Sequence, residues 1–285
     1  MKRSGRRIAL SALIAAALVG GPGASAADDS ERLVTDREAK RWNPELRDAY
    51  EFALSRTGDV SFAVVDMKGR LGERNGYGAA KMASTAKVML MAAFLRQNDV
   101  EDRSLTRYEK SLVEPMIRRS DNGAATTINN MLGRAPLEEL ADDAGMNRYQ
   151  WSAASWGQSK TTARDQALFM RNLQQLIPDR HWEYARHQLA SITSSQRWGI
   201  GEVDLNGWSV AFKGGWGISS RRAADGSGFR PSARGAGTVN HQVAFLRKGG
   251  RRIGLSVLTE GNPTHSYGTA TLEGVFERLL EKLPR

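Results

Sequence analysis

The chain predicts an α+β fold: an antiparallel sheet flanked by its N- and C-terminal helices, with an all-helical domain inserted between two groups of strands. Three observations carry this. β-rich stretches fall into two groups, one over 60–75 and one from 208 onward, and the residues between them show helical periodicity. An amphipathic segment precedes the first group and another follows the second. The order helix, strands, helices, strands, helix is satisfied when the strands form one sheet with the first and last helices on one face. The chain has no cysteine, so a disulfide framework is excluded and core packing must supply the stability.

The first 26 residues read as an export leader. Lys2, Arg3, Arg6 and Arg7 form a basic start, Ile8 to Val19 an apolar run, and Ala24-Ser25-Ala26 a small-residue cleavage site. The apolar run, about a dozen residues, is too short for a membrane span. Arg6-Arg7 fits the twin-arginine route as well as the general one. Cleavage near Ala26 leaves 259 residues and lowers the net charge from +10 to +6, because the leader holds four cations and no acid. That length suits one large domain or two packed subdomains. The expected partition is an α/β subdomain from 27–83 and 191–285, and a helical subdomain over 84–190. Acids and bases are interspersed, so the excess charge reads as a solvated surface rather than a nucleic-acid site.

Taken in order, residues 27–35 read as a loose start. Pro44 to Arg56 predicts a helix with Leu46, Ala49, Tyr50, Ala53 and Leu54 on one stripe. Asn43 before Pro44 suits the N-cap and first helical positions. Val60 to Met67 and Arg70 to Asn75 predict a hairpin turning at Lys68-Gly69. Met82 to Gln97 predicts a helix apolar on nearly every side, hence buried. Arg107 to Arg119, Ala124 to Leu132 (stopped by Gly133), Pro136 to Ala144 (ended by Gly145) and Thr162 to Leu176 predict four more helices. In the last of these, Thr162 and Asp165 suit a capping box, with Asp165 reaching back to the helix start. Trp208 to Phe212 predicts a short strand. His241 to Leu246 and Ile253 to Leu258 flank Lys248-Gly249-Gly250-Arg251, a hairpin tip. Ser266 to Leu283 predicts the closing helix.

Three short motifs carry chemistry. Ser84 and Lys87 lie three residues apart, on one helix face, so a hydroxyl stands beside an amine that can serve as its base. Ser120-Asp121-Asn122 precedes a helix; its plain structural role is an N-cap. Lys213-Gly214-Gly215 follows an apolar strand and precedes Trp216-Gly217, which suits the edge of a buried cleft. Lys248-Gly249-Gly250 repeats those letters inside a basic turn, where exposure is the natural reading.

In the order S-x-x-K, S-D-N, K-x-G, these motifs resemble the signature of class A β-lactamases and penicillin-binding proteins. The resemblance reaches beyond them. Met82 to Leu90 is similar to that family's nucleophile helix, Ser120 to Leu132 to its S-D-N helix, Pro136 to Met146 to the segment after it. Val60 to Lys68 is similar to its first strand, and His241 to Leu283 to its last strands and closing helix. The resemblance implies the β-lactamase/DD-peptidase-like fold. It also implies roles: Ser84 as acylated nucleophile, Lys87 as its base with a pKa lowered by burial and by the Lys213 cation, and Ser120 as proton relay to the leaving nitrogen. Asn122 would hold Lys87 and the substrate amide, and Lys213 the substrate carboxylate. Gly215 and Trp216 would line the substrate site, with the Ser84 and Trp216 N–H groups as oxyanion hole. No metal or cofactor is implied. The expected partner is a β-lactam or a cell-wall peptide, the expected state a monomer with no nucleic acid.

The chain departs from the pattern at named places. Class A enzymes place a Glu, which activates the deacylating water, in a loop here matched by Asn147 to Lys160; that stretch has no Glu or Asp. Gly214 replaces the usual hydroxyl residue, the segment from Lys87 to Ser120 is short, and only Asn240 or Arg234 lies near the place of the family's carboxylate-binding Arg. Three readings follow: a serine acyl-enzyme hydrolase with slow deacylation, a D-Ala-D-Ala peptidase of the same chemistry, and a binding or sensing module without turnover.

Overall fold

In the computed structural model the described residues are 42–219 and 237–285. The expected leader, the start of the mature chain and Arg234 lie outside them.

Helix α1 spans Leu46–Ser55 and begins later than the sequence predicts, with Glu45 at its cap position and no side-chain cap. Asn43 is engaged elsewhere: its Oδ1 accepts the Arg70 guanidinium at 2.6 Å. The predicted hairpin forms from β1 (Asp59–Val65) and β2 (Leu71–Arg74). Its turn is organised by Asp66, whose Oδ1 accepts the N–H groups of Lys68 and Arg70, both at 2.8 Å. A short carboxylate that satisfies two turn amides is a favoured way to close such a loop.

A two-residue ribbon, β3 (Ala80–Lys81) with β4 (Lys160–Thr161), was not predicted; two residues are too few to show a period. The chain then makes a 3-10 turn over Ala83–Thr85 and enters α2 (Ala86–Leu95). The helix predicted from Met82 therefore starts as a tighter turn. All ten residues of α2 are buried, as a segment apolar on every side requires. Burying a side chain the size of Leu90 or Phe94 contributes roughly 1.5–3 kcal/mol, so α2 is a main source of core stability.

Around it pack α3 (Arg107–Arg118), α4 (Asn122–Leu132), α5 (Ala135–Asp143) and α7 (Asp179–Ala190). α3 carries a capping box between Thr106 and Glu109. α4 ends where Gly133 takes φ +70°, a left-handed conformation that suits glycine. α7 was not predicted. Its signal was present: Pro178 at the boundary, Asp179 in the first turn, and Trp182, Ala185 and Leu189 buried on one stripe.

Helix α6 (Ala163–Leu176) behaves differently from its neighbours. Although it falls inside the expected helical block 84–190, it lies on the sheet. Ala163 and Ala167 pack with Ala63, Val65 and Leu258, and a side chain at Gly254 would come within 2.3 Å of the Ala167 carbonyl. Its expected capping box is half formed. Thr162 Oγ1 accepts the Asp165 N–H at 3.1 Å, but the Asp165 carboxylate accepts the Arg148 N–H at 3.0 Å.

The remaining strands are β5 (Ser209–Ser219), β6 (Gly237–Lys248) and β7 (Arg251–Asn262), followed by α8 (His265–Leu280). The sheet order is β2-β1-β7-β6-β5, antiparallel throughout. Alternate residues of β1 serve opposite faces, Phe62 and Val64 joining the main core while Ala63 and Val65 meet α6. α1 and α8 pack together, so closely that a side chain at Gly274 would sit 2.4 Å from the Phe52 ring. β5 does not stop at Phe212 as predicted. It runs on through Lys213, Gly214 and Gly215, which pair with Val243, Gln242 and His241. It is an edge strand, and its cleft side runs beside the Ala83–Thr85 turn.

Candidate active site

Four elements bring the motif residues together. Ser84 sits in the 3-10 turn, half exposed, and Ala83 before it takes φ +48°. Ser120 takes φ +59°. Positive φ at a non-glycine residue is costly and gathers at functional sites. Two of the four described cases in this chain flank one cleft.

Lys87 is fully buried in the first turn of α2. Its Nζ donates to the Ser120 carbonyl at 2.6 Å, Ser120 Oγ at 3.0 Å and Asn122 Oδ1 at 2.7 Å. The left-handed backbone at Ser120 turns carbonyl and hydroxyl toward the same amine. In Ser120-Asp121-Asn122 the labour divides: Asp121 is the helix cap, its Oδ1 accepting the Ala124 N–H at 2.8 Å, while the residues on either side serve Lys87. Capping and chemistry, alternatives for this motif in the sequence, are both present in it.

Burial lowers the Lys87 pKa to about 8, partly opposed by the Asp121 carboxylate. The mutual effect of the two cations falls on the other partner. Burial, and then the Lys87 charge, lower Lys213 to about 7. Both amines are lowered toward neutrality, in each case mainly by burial.

Lys213 is fully buried, its Nζ donating to the Gly214 carbonyl at 2.8 Å. Gly215 lies against the nucleophile turn: a Cβ there would stand 2.9 Å from the Ser84 nitrogen and 3.0 Å from that of Thr85. Gly214 has its own cause. A Cβ would lie 2.3 Å from the Trp198 ring, so the indole holds the space in which a longer residue would stand. Trp198 meets Trp216 edge-on at 6.0 Å and His265 at 5.6 Å. Trp216 is 40% exposed and forms the rim of the cleft. Asn240 is buried and hydrogen-bonded to His265 Nδ1 at 2.8 Å, so it holds this aromatic wall.

The sequence reading missed the wall residues Trp198 and His265, which carry no motif signal, and also Trp156. The latter lies in the 147–160 stretch, its ring centre 4.7 Å from Lys87 Nζ. The site as a whole can present a hydroxyl beside an amine lowered toward neutrality, a second hydroxyl on that amine, and a glycine-lined approach to the nucleophile's backbone. Among the described residues no three His, Asp or Glu side chains gather as metal ligands.

A mixed fold with this strand order, and a serine–lysine pair at the start of a buried helix, define a serine hydrolase of amide bonds. Residues 107–276, more than half of the chain, match the model of the β-lactamase enzyme family. The chain belongs to that family. Its fold is similar to solved β-lactamases. One is a class A enzyme from Mycobacterium abscessus, 18% identical over 83% of this chain and 98% of that one, TM-score 0.65. Another, from Sphaerobacter thermophilus, is 19% identical over 84% and 97%, TM-score 0.67. A third, from Xanthomonas campestris, is 16% identical over 85% and 99%, TM-score 0.66. No curated protein matches the chain.

Proposed function

We propose that the protein is an exported serine acyl-enzyme hydrolase that acts on β-lactam or related amide bonds through Ser84 and releases the acyl group slowly. The observation that carries this is the convergence of Ser120 and Asn122 on the buried Lys87 amine, a single turn from Ser84. Ser84 Oγ attacks the carbonyl carbon and passes its proton to Lys87. The carbon–nitrogen bond breaks, and the proton reaches the leaving nitrogen through Ser120. Water must then add to the ester to free the acid and restore Ser84. Slow release follows from the 147–160 stretch, which holds no carboxylate. The acids that flank the stretch are engaged: Asp143 pairs with Arg96, and the Asp165 carboxylate accepts the Arg148 N–H at 3.0 Å.

The test is intact mass after incubation with a fluorescent penicillin. A persistent adduct on the wild type, absent in Ser84→Ala, supports the reading; rapid product release points to a base elsewhere. No adduct, and no cleavage of peptides ending in D-Ala-D-Ala, removes both enzymatic readings for these substrates. One observation favours the third reading, a binding module: Lys213 is closed beneath the aromatic wall.

A further inference from the structure

The turn over Trp156–Gln158 is stitched to the nucleophile turn. The Ser159 carbonyl accepts the Met82 N–H at 2.8 Å, and a Cβ on Gly157 would rest 3.7 Å from Ala83, in ordinary contact. From this turn Trp156 lays its ring over Lys87 Nζ, 4.7 Å from the ring centre. Its indole N–H donates to Thr126 Oγ1 at 3.3 Å. Thr126 stands one helical turn after Asn122 on α4, so the helix that holds Lys87 also holds the ring that covers it. Three acceptors line the Lys87 amine and an aromatic face covers a further side, which accounts for its complete burial.

We propose that Trp156 is a positioning residue that shuts water out of the Lys87 side of the site and so prolongs the life of an acyl group on Ser84. This rests on the acyl-enzyme reading, and it goes beyond a missing acid: an indole occupies the approach that a hydrolytic water would need. The ring has two opposed effects on Lys87. Its face favours the ammonium, and its exclusion of water disfavours it. Burial by all its surroundings lowers this lysine's pKa; on this proposal exclusion of water is the larger of the ring's two effects, so that removing the ring raises the pKa. The other charges bearing on Lys87 are Asp121, ahead of α4, and Lys213, on β5.

The variants Trp156→Ala and Trp156→Phe are compared with the full-length wild type, folding being checked by circular dichroism. Two readouts are taken: the lifetime of the penicillin adduct by intact mass, and direct NMR titration of Lys87 Nζ, assigned with Lys87→Arg. In Trp156→Ala the adduct decays at least about tenfold faster, while the Lys87 inflection rises by about one unit or more. Acylation near neutral pH slows at the same time. Deacylation quickening while acylation slows is a pairing that general loosening of the fold does not give. Trp156→Phe, which restores a ring without the N–H, brings both readouts back toward the wild type. An Ala variant whose adduct lifetime is within about twofold of the wild type and whose inflection is within about 0.3 unit of it overturns the proposal. If penicillin labels no variant, the acyl-enzyme reading fails separately. The lysine titration then decides alone, a raised inflection supporting the cap and an unmoved one overturning it.

Discussion

The tripeptide Lys-Gly-Gly occurs twice, at 213–215 and at 248–250, and the two copies have opposite environments. Lys213 is fully buried on the edge strand with its amine on the Gly214 carbonyl, and both glycines face neighbours that a side chain would strike. Lys248 ends β6 and reaches back to the Asn206 carbonyl at 2.9 Å. Gly249 and Gly250 look into open space, and Gly249 takes φ +56°. In one copy glycine is required by what approaches it; in the other, by the dihedral angle of a turn. The motif acquires chemical meaning from the Ser84 turn beside it, not from its letters.

Gly215→Ala should break this comparison most sharply. A Cβ placed 2.9 Å from the Ser84 nitrogen must displace the turn that carries the nucleophile. Misplacement on this scale costs on the order of a hundredfold in rate, read as the acylation rate with the fluorescent penicillin. Gly250→Ala, with nothing within 4 Å of the new methyl, should leave that rate as it is. Equal loss in both would mean that Gly215 does not face the reacting centre.

Lys213→Met against Lys248→Met comes next. The Lys213 pKa is lowered to about 7, below the ordinary 10.5, so the unfolded chain binds more protons from pH 7 to 10.5 and stability rises with pH across that window. Below pH 7 the cost of the buried cation is present in full. Lys213→Met removes it, so the variant should melt a few degrees higher at pH 6 and lose that advantage by about pH 10. Its acylation should be slower, since a cation beside the site is gone. Lys248→Met should change neither. A Lys213→Met protein that melts lower at pH 6 would show that Lys213 is held by an anion. His241, fully buried and lowered to about 4 mainly by burial, tilts stability the same way in acid. The folded state should weaken as pH falls from 6.5 to 4, and His241→Gln should flatten that limb of the melting profile.

Gly214→Ala sharpens the comparison in a different way. Its Cβ meets the Trp198 ring at 2.3 Å rather than the backbone of the Ser84 turn. A side chain held in a packed wall yields at a cost of roughly 1–3 kcal/mol. Lower stability with a modest loss of acylation is therefore expected, and Gly214→Ala combined with Trp198→Ala should relieve the clash. If the double variant stays as unstable as the single, the ring is not what requires glycine here.

These residues also mark where the sequence was legible. The antiparallel sheet, the buried α2 and the cluster of Ser84, Lys87, Ser120 and Asn122 were readable because each depends on local spacing or on motif order. Exposure separated the two Lys-Gly-Gly copies correctly, since basic neighbours at 247–252 argue for a hairpin tip. What was not legible was decided by distant partners. Asn43 reads as a cap, yet Arg70 claims its side chain. Asp165 reads as half of a capping box, yet the Arg148 amide claims it. Gly214 reads as a lost contact, whereas the space belongs to Trp198, whose position no local pattern announces. The positive φ angles at Ala83 and Ser120 have no glycine to betray them.

The smallest effect belongs to the copy outside the cleft. Gly249→Ala adds a methyl that touches nothing, so only the backbone angle is at issue. An L-residue at φ near +56° costs about 1–2 kcal/mol relative to glycine. The variant should show a lower denaturant midpoint with an unchanged slope, because the same surface is exposed on unfolding. Gly249→Asn should recover part of the loss, since asparagine tolerates the left-handed region by bonding its own backbone. Neither should alter acylation. At Gly215, whose φ is not positive, asparagine should be worse than alanine, because it adds bulk against Ser84 without relieving any strain. Opposite orders of Ala and Asn at 249 and 215 would distinguish a glycine required by conformation from one required by contact. The same order at both positions would mean that one cause governs the two.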